Sequence, residues 1–210
     1  MLRWLMAVML VSCSASTNVS ASPTPAQSAT RLAVAQSRSP TASVTSSSTP
    51  DPASLAPCVA SQLQAVAAGA RAADFFAGAV FVANHGTAPC TLRGNPEVVL
   101  LASDGSALDV RRATVTAGSP ALVVVPVGQF QQDPGGLKGI GASAPLAWSN
   151  YCDDALPKTF RLTLPDAGGT MDGTFIDLAG RPVSAFGTPR CDDASGTSTL
   201  VVYPFQEPVR

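Results

Sequence analysis

Four cysteines, Cys58, Cys90, Cys152 and Cys191, stand at least 32 residues apart, and this spacing constrains the fold more than any other feature of the chain. None sits in a C-x-x-C pair and the only histidine is His85, so a zinc cage lacks the ligand spacing it normally uses. Outside the cytosol, four such cysteines are most simply two disulfides. Whether the chain is exported is therefore decisive.

The first residues answer that question. Arg3 precedes an apolar run from Trp4 to Val11, far shorter than the ~20 residues that span a bilayer, so the run reads as a cleavable export signal. Leu10-Val11-Ser12-Cys13 resembles the bacterial lipobox, in which a small residue precedes a cysteine that is acylated on sulfur and becomes the first residue after cleavage. The resemblance implies a signal peptide over residues 1–12, lipidation at Cys13, and a membrane partner reached through the lipid anchor. Two or three acyl chains, at ~0.8 kcal/mol per buried methylene, anchor a protein stably. The expected location is the outer face of the cytoplasmic membrane. The alternative is an ordinary secretory signal cut further on, up to Ser22, which would discard Cys13.

Residues 13–55 are dominated by Ser, Thr, Ala and Pro, with almost nothing large to bury. Such a segment cannot offset the entropy of ordering itself and is expected to be a disordered tether. Residues 56–210 are enough for one domain with a real core and too few for two. Charged residues make up only 13% and the net charge is −1, with no basic run, so nucleic acid is excluded as a partner for want of an electrostatic footprint.

Within that domain, short segments rich in Val, Leu, Ile and Phe recur between Gly, Pro, Asn and Asp, the pattern of an all-β sandwich or barrel. Candidate strands run from Ala79 to Ala83, Glu97 to Ala102, Ala107 to Val110, Leu122 to Val127, Pro145 to Trp148, Phe160 to Leu164, Thr174 to Leu178 and Leu200 to Tyr203. Ser103-Asp104-Gly105-Ser106 supplies the left-handed residue of a tight hairpin. Phe160-Arg161-Leu162-Thr163-Leu164 alternates and should show one face to the core. Val59 to Ala73, rich in Ala, Gln and Leu, favours a helix by propensity, with Gly69 interrupting it.

Several landmarks align with one family. Cys58, Asn84 and Gly86 in a turn, and the string Pro89-Cys90-Thr91-Leu92 followed by Gly94 and Pro96 resemble the N-terminal half of the domain of unknown function 4232 of actinobacterial secreted lipoproteins. Gly141, Leu146, Trp148 and Cys152 resemble its second half, so the likeness spans most of Cys58 to Val202. Asn95 departs from the aromatic expected between Gly94 and Pro96. The resemblance implies an immunoglobulin-like antiparallel β-sandwich with two disulfides, in which Gln62 to Val66 is a first strand and not a helix. It implies no function, and a sandwich hosts unrelated activities. Sequence order suggests Cys58 to Cys90 and Cys152 to Cys191, one of three connectivities. Trp148 is expected in the core against the second bridge, and Phe75-Phe76 likewise in the core.

No catalytic constellation stands out. His85 lies in a turn, no serine sits in a G-x-S-x-G elbow, and the cysteines are expected to be oxidised. Gly139-Ile140-Gly141-Ala142-Ser143-Ala144 fits the loose G-x-G-x-x-A string without the strand-helix-strand context a nucleotide needs, so no cofactor is expected. Two features invite attention. Gly128 to Ala144 shows little regular pattern, and Phe130 among Gln129, Gln131 and Gln132 is a candidate recognition loop on a sandwich scaffold. Cys152-Asp153-Asp154 and Cys191-Asp192-Asp193 repeat one tripeptide; bridged cysteines would gather the four carboxylates, as a calcium site or as the acids of a cell-surface hydrolase. Solvated acids splayed apart are the simpler expectation. The function expected is a non-enzymatic envelope lipoprotein whose domain binds an envelope protein, a polymer or a small ligand. A polar cleft with convergent carboxylates would favour the hydrolase, and an apolar patch near Phe130 the binding module.

Overall fold

The computed structural model describes residues 51–72, 74–115, 119–133, 136–184 and 186–208. The signal peptide, Cys13 and all of the expected tether before residue 51 lie outside the described residues. The last of the tether, Asp51 to Leu55, forms a single 3₁₀ turn at Pro52–Ser54, capped by the Asp51 carboxylate on the Ala53 amide.

Twelve strands follow among the described residues: β1 Leu63–Arg71, β2 Phe75–Asn84, β3 Cys90–Arg93, β4 Glu97–Leu101, β5 Arg111–Thr114, β6 Leu122–Val125, β7 Gln131–Asp133, β8 Gly136–Lys138, β9 Ala142–Ser149, β10 Thr159–Thr163, β11 Thr170–Phe175 and β12 Thr199–Val202. No α-helix and no helix long and apolar enough to cross a membrane occurs among the described residues. Eight strands make one sheet in the order β4-β10-β11-β1-β2-β9-β12-β5, while β3 pairs with β6 and β7 with β8. Pairing is antiparallel except for two parallel ladders, β1 with β11 and β12 with β5. The two edge strands of the large sheet approach each other, for Arg112 Nε on β5 lies 3.3 Å from Glu97 Oε1 on β4. The sheet thus folds over on itself as a sandwich around one core.

Alternation explains which side chains enter that core. Phe160 and Leu162 on β10 are buried and Arg161 between them is exposed, as the sequence pattern requires. Trp148, Phe160, Phe175, Phe205 and Leu162 are the largest fully buried side chains. Phe175 stacks on Phe186 at 4.2 Å, and Phe76 meets Phe186 edge-on at 4.5 Å. Gly173 on β11 sits under the Phe160 ring, which an added Cβ would strike. The β3 and β6 pair covers the remaining side, with Cys90, Leu92, Val123 and Val125 entering the same core.

Several sequence expectations are corrected here. Helix propensity over Val59 to Ala73 gives way to β1, because its ladder with β2 runs unbroken from Leu63↔Asn84 to Arg71↔Phe76. Ala107 to Val110 is not a strand; only Ala107 bridges, to Leu101, and the ladder to β12 uses Arg111–Thr114 instead. Phe76 is buried, but its neighbour Phe75 points outward and is 42% exposed. Gly128 to Ala144 is not irregular, since it contains the β7–β8 hairpin and the start of β9. Asn95 replaces an aromatic contact with hydrogen bonds, donating from Nδ2 to the carbonyls of Val115 and Val202.

Both disulfides take the pairing that sequence order suggested, Cys58–Cys90 and Cys152–Cys191. They differ in setting. Cys58 and Cys90 are 2% and 1% exposed within the core, whereas Cys152 and Cys191 are both exposed.

Candidate functional site

In β2, Phe76, Val80 and Val82 point inward, so Phe75, Ala77, Ala79 and Phe81 face out. Register extends that outer face across five strands, with Ala70, Ala77, Ala147, Val201 and Ala113 side by side. This row carries no charge and no long side chain. Exposed Phe75 and Tyr203 flank it. Charge returns on either side of this row, with Arg111 next to it on β5 and the Arg161–Asp172 pair on β10 and β11, as the solvent side of an antiparallel sheet normally reads polar.

At one end, the β7–β8 hairpin crosses the outer face. Val66, Ala68 and Ile176 are buried beneath it in a second small cluster, against half-buried Phe81, Phe130 and Leu137. Gln132 anchors the hairpin by donating to the Gly180 carbonyl. Two hollows lie beside the hairpin. The larger, 530 Å³, is walled by Phe81, Leu137, Ile140, Pro145, Ile176 and Leu178, with Ser143, Asp177 and Gln206 as polar rim groups. Its size falls within the range of small-ligand pockets, ~300–1,000 Å³. The smaller, 180 Å³, takes Phe130, Val66, Leu137 and Ile176.

One turn shapes the rim of the larger hollow. Asp177 Oδ1 accepts from the Ala179 and Arg181 amides, and Oδ2 accepts from Arg181 Nε at 2.8 Å. These bonds, led by those from Arg181, hold the Asp177 carboxyl below the usual carboxylate range. The braced turn leaves Leu178 standing into solvent at 74% exposure.

Of the recognition residues expected from sequence, Phe130 lines the smaller hollow, whereas Gln129 and Gln131 line neither. Phe81, Leu137, Ile140 and Leu178 were missed as site residues. The outward parity of Phe81 in β2 was the available sign, but nothing local reveals that a hairpin crosses above it.

The second region lies around Cys152–Cys191. A hollow of 530 Å³ is bordered by Asp109, Asn150, Tyr151, Cys152, Asp153 and Asp154 on one side and by Gly196, Thr197 and Ser198 on the other. Asn150, at φ 52°, occupies the left-handed region. Its Oδ1 accepts from the amides of Asp192 and Asp193, and its Nδ2 donates to the Asp193 carbonyl. Tyr151 is buried against Trp148 and donates to the Ala155 carbonyl at 2.6 Å. Burial first, then the charges of Asp153 and Asp154, raises the Tyr151 pKa. Trp148 itself is wholly buried, with Nε1 donating to Ser198 Oγ.

The four aspartates do not converge, so the alternative of one carboxylate cluster is not realised among the described residues. Asp153 Oδ1 caps the Ala155 amide. Asp193 Oδ1 accepts from Ser195 N and Oγ, which lowers its pKa. Asp192 lies 3.9 Å from Arg190. Of these four, Asp153 and Asp154 border the hollow, and no three metal-ligating side chains come together among the described residues. Short local hydrogen bonds outcompete a gathering that would force like charges together. His85 is exposed between β2 and β3, and Gly139-Ile140-Gly141 leads into strand β9 and not into a helix.

Fold and disulfides together define an all-β sandwich domain closed by two cystines. A family described as Domain of unknown function (DUF4232) matches residues 58–206, and the chain belongs to it. No curated protein and no solved structure matches the chain.

Proposed function

We propose that this protein is a membrane-tethered, non-enzymatic binding module of the cell envelope, and that it takes a small, mainly apolar ligand in the groove between the β7–β8 hairpin and the outer sheet face. The observation that carries this reading is the 530 Å³ hollow walled by Phe81, Leu137, Ile140, Pro145, Ile176 and Leu178. Burying such side chains contributes ~25 cal/mol per Å² of apolar area. Ser143, Asp177 and Gln206 at the rim supply the few polar groups that would orient a ligand. Export and anchoring rest on Arg3, the apolar run and Cys13, and two disulfides accord with an oxidising space.

The neutral probe N-phenyl-1-naphthylamine tests the groove. The native chain should enhance its fluorescence saturably, and Leu178→Asp, at an exposed rim position, should weaken binding roughly tenfold without lowering the melting temperature. Unsaturable enhancement, or equal affinity in the variant, refutes the assignment. Anchoring is tested separately: Cys13→Ser should abolish incorporation of a palmitate analogue and move the chain from the membrane to the soluble extracytoplasmic fraction. Unchanged membrane retention would overturn it.

A further inference from the structure

We propose that Cys152–Cys191 is a thiol-exchange site, an exposed clasp that a cationic or neutral thiol donor opens while Cys58–Cys90 stays closed. Access separates the two bonds. Exchange requires a thiolate to reach one sulfur in line, and Cys58 and Cys90 are buried in the core whereas Cys152 and Cys191 are exposed beside an open hollow.

The balance is that of a two-electron reduction. A donor thiolate attacks one sulfur, the cystine S–S bond breaks, and a mixed disulfide forms as the other cysteine leaves as a thiolate and takes a proton from water. A second donor thiolate then resolves the mixed disulfide. The donor is oxidised to a disulfide, and Cys152 and Cys191 end as two thiols.

The surroundings let the clasp open without unfolding the domain. Phe186 to Ser198 contains no strand or helix, yet the segment is pinned apart from the cystine. Phe186 is buried between Phe76 and Phe175, its amide donates to the Pro157 carbonyl, and Arg71 donates to the Thr188 carbonyl. Asn150 holds the Asp192 and Asp193 backbone through three further hydrogen bonds. Reduction therefore loosens one wall of the hollow, which takes residues from both sides of the bridge.

Charge selects the donor. Asp153, Asp154, Asp192 and Asp193 adjoin the two cysteines and Asp109 borders the same hollow, while Arg190 pairs with Asp192. An anionic thiolate meets a repulsive field, and a donor carrying an ammonium does not.

The full chain, treated natively with cysteamine or with 2-mercaptoethanesulfonate, tests this by alkylation and peptide mass spectrometry, which assigns each thiol and separates Cys13 from the rest. Cys152 and Cys191 should become alkylated together while the Cys58–Cys90 peptide pair stays linked, with the melting transition retained. Relative to the same thiols acting on a small neutral disulfide, cysteamine should be favoured on the order of tenfold at low ionic strength, and the preference should collapse at 1 M salt, where the Debye length is about 3 Å. Asp154→Asn with Asp192→Asn should also reduce it. Four thiols appearing together, none appearing before denaturation, or an equal rate for both thiols at low salt would overturn the proposal.

Discussion

Replacing Cys58 and Cys90 together with alanine is expected to leave the domain largely unfolded at 37 °C. The bond closes a separation of 32 residues, worth about 4 kcal/mol on chain-entropy grounds. Both sulfurs lie in the core, so their loss also empties packed space, at a cost that rises with residual cavity volume. The bond ties β3, through Cys90, to the segment entering β1, and Cys58 N donates to the Thr91 carbonyl on the same strand. A domain with about 5–15 kcal/mol of total stability keeps little margin after such a loss. The exposed Cys152–Cys191 bond closes a similar separation of 39 residues, yet replacing both cysteines with serine should cost less because no core volume is lost. Urea unfolding of both double variants checks the order; equal losses would contradict it.

A second large effect is expected from a change of one atom. Asn84, at the end of β2, is wholly buried. Its Nδ2 donates to the Ala88 carbonyl at 2.8 Å and the Val125 carbonyl at 3.2 Å, and Cys90 Sγ lies 3.6 Å away. Its Oδ1 accepts from the Gly86 amide at 2.9 Å. One side chain thus ties the end of β2, the turn that follows it, and β6. Asn84→Asp keeps the shape but turns an oxygen toward two carbonyl oxygens, removing two donors and burying a charge, at a cost of about 3–5 kcal/mol near neutrality. Desolvation and the facing carbonyls would raise the folded-state pKa of the new carboxyl above its unfolded value. The folded state then holds its proton more tightly, so the variant is relatively most stable below the unfolded pKa, and stability falls as pH rises through the folded pKa. Denaturant midpoints at pH 4 and pH 7, each referred to the native chain, measure this. A deficit that does not grow between those two values would show that the group is not buried as a charge.

Much of this architecture was legible in the chain. Alternation in Phe160 to Leu164 places β10, and its inward residues are buried as the pattern demands. The Ser103 to Ser106 turn works as read, with Gly105 at φ 82° and the Asp104 carboxylate accepting from Ser106 N and Oγ. Asn84, Gly86 and the Pro89 to Leu92 string carried the family likeness, and the buried hydrogen bonds of Asn84 give that turn its physical content. The site was less legible. Phe130 does reach the groove region, but the residues that wall the larger hollow come from β2, β8, β9 and the turn after β11. No local pattern brings those segments together.

What the sequence determined alone was the set of local and covalent constraints: four cysteines to be paired, short alternating segments, and turn residues where the chain reverses. The tertiary structure decided what covers the far side of each strand. Val66 and Ala68 face away from the main core and are buried only because the β7–β8 hairpin lies over them, so β1 carries apolar residues on both faces and its sequence lacks the alternation of a strand. It decided, too, that Asp153, Asp154, Asp192 and Asp193 share two linked loops without sharing a site. Periodicity records one face of one element, whereas burial and charge placement depend on neighbours contributed from far along the chain.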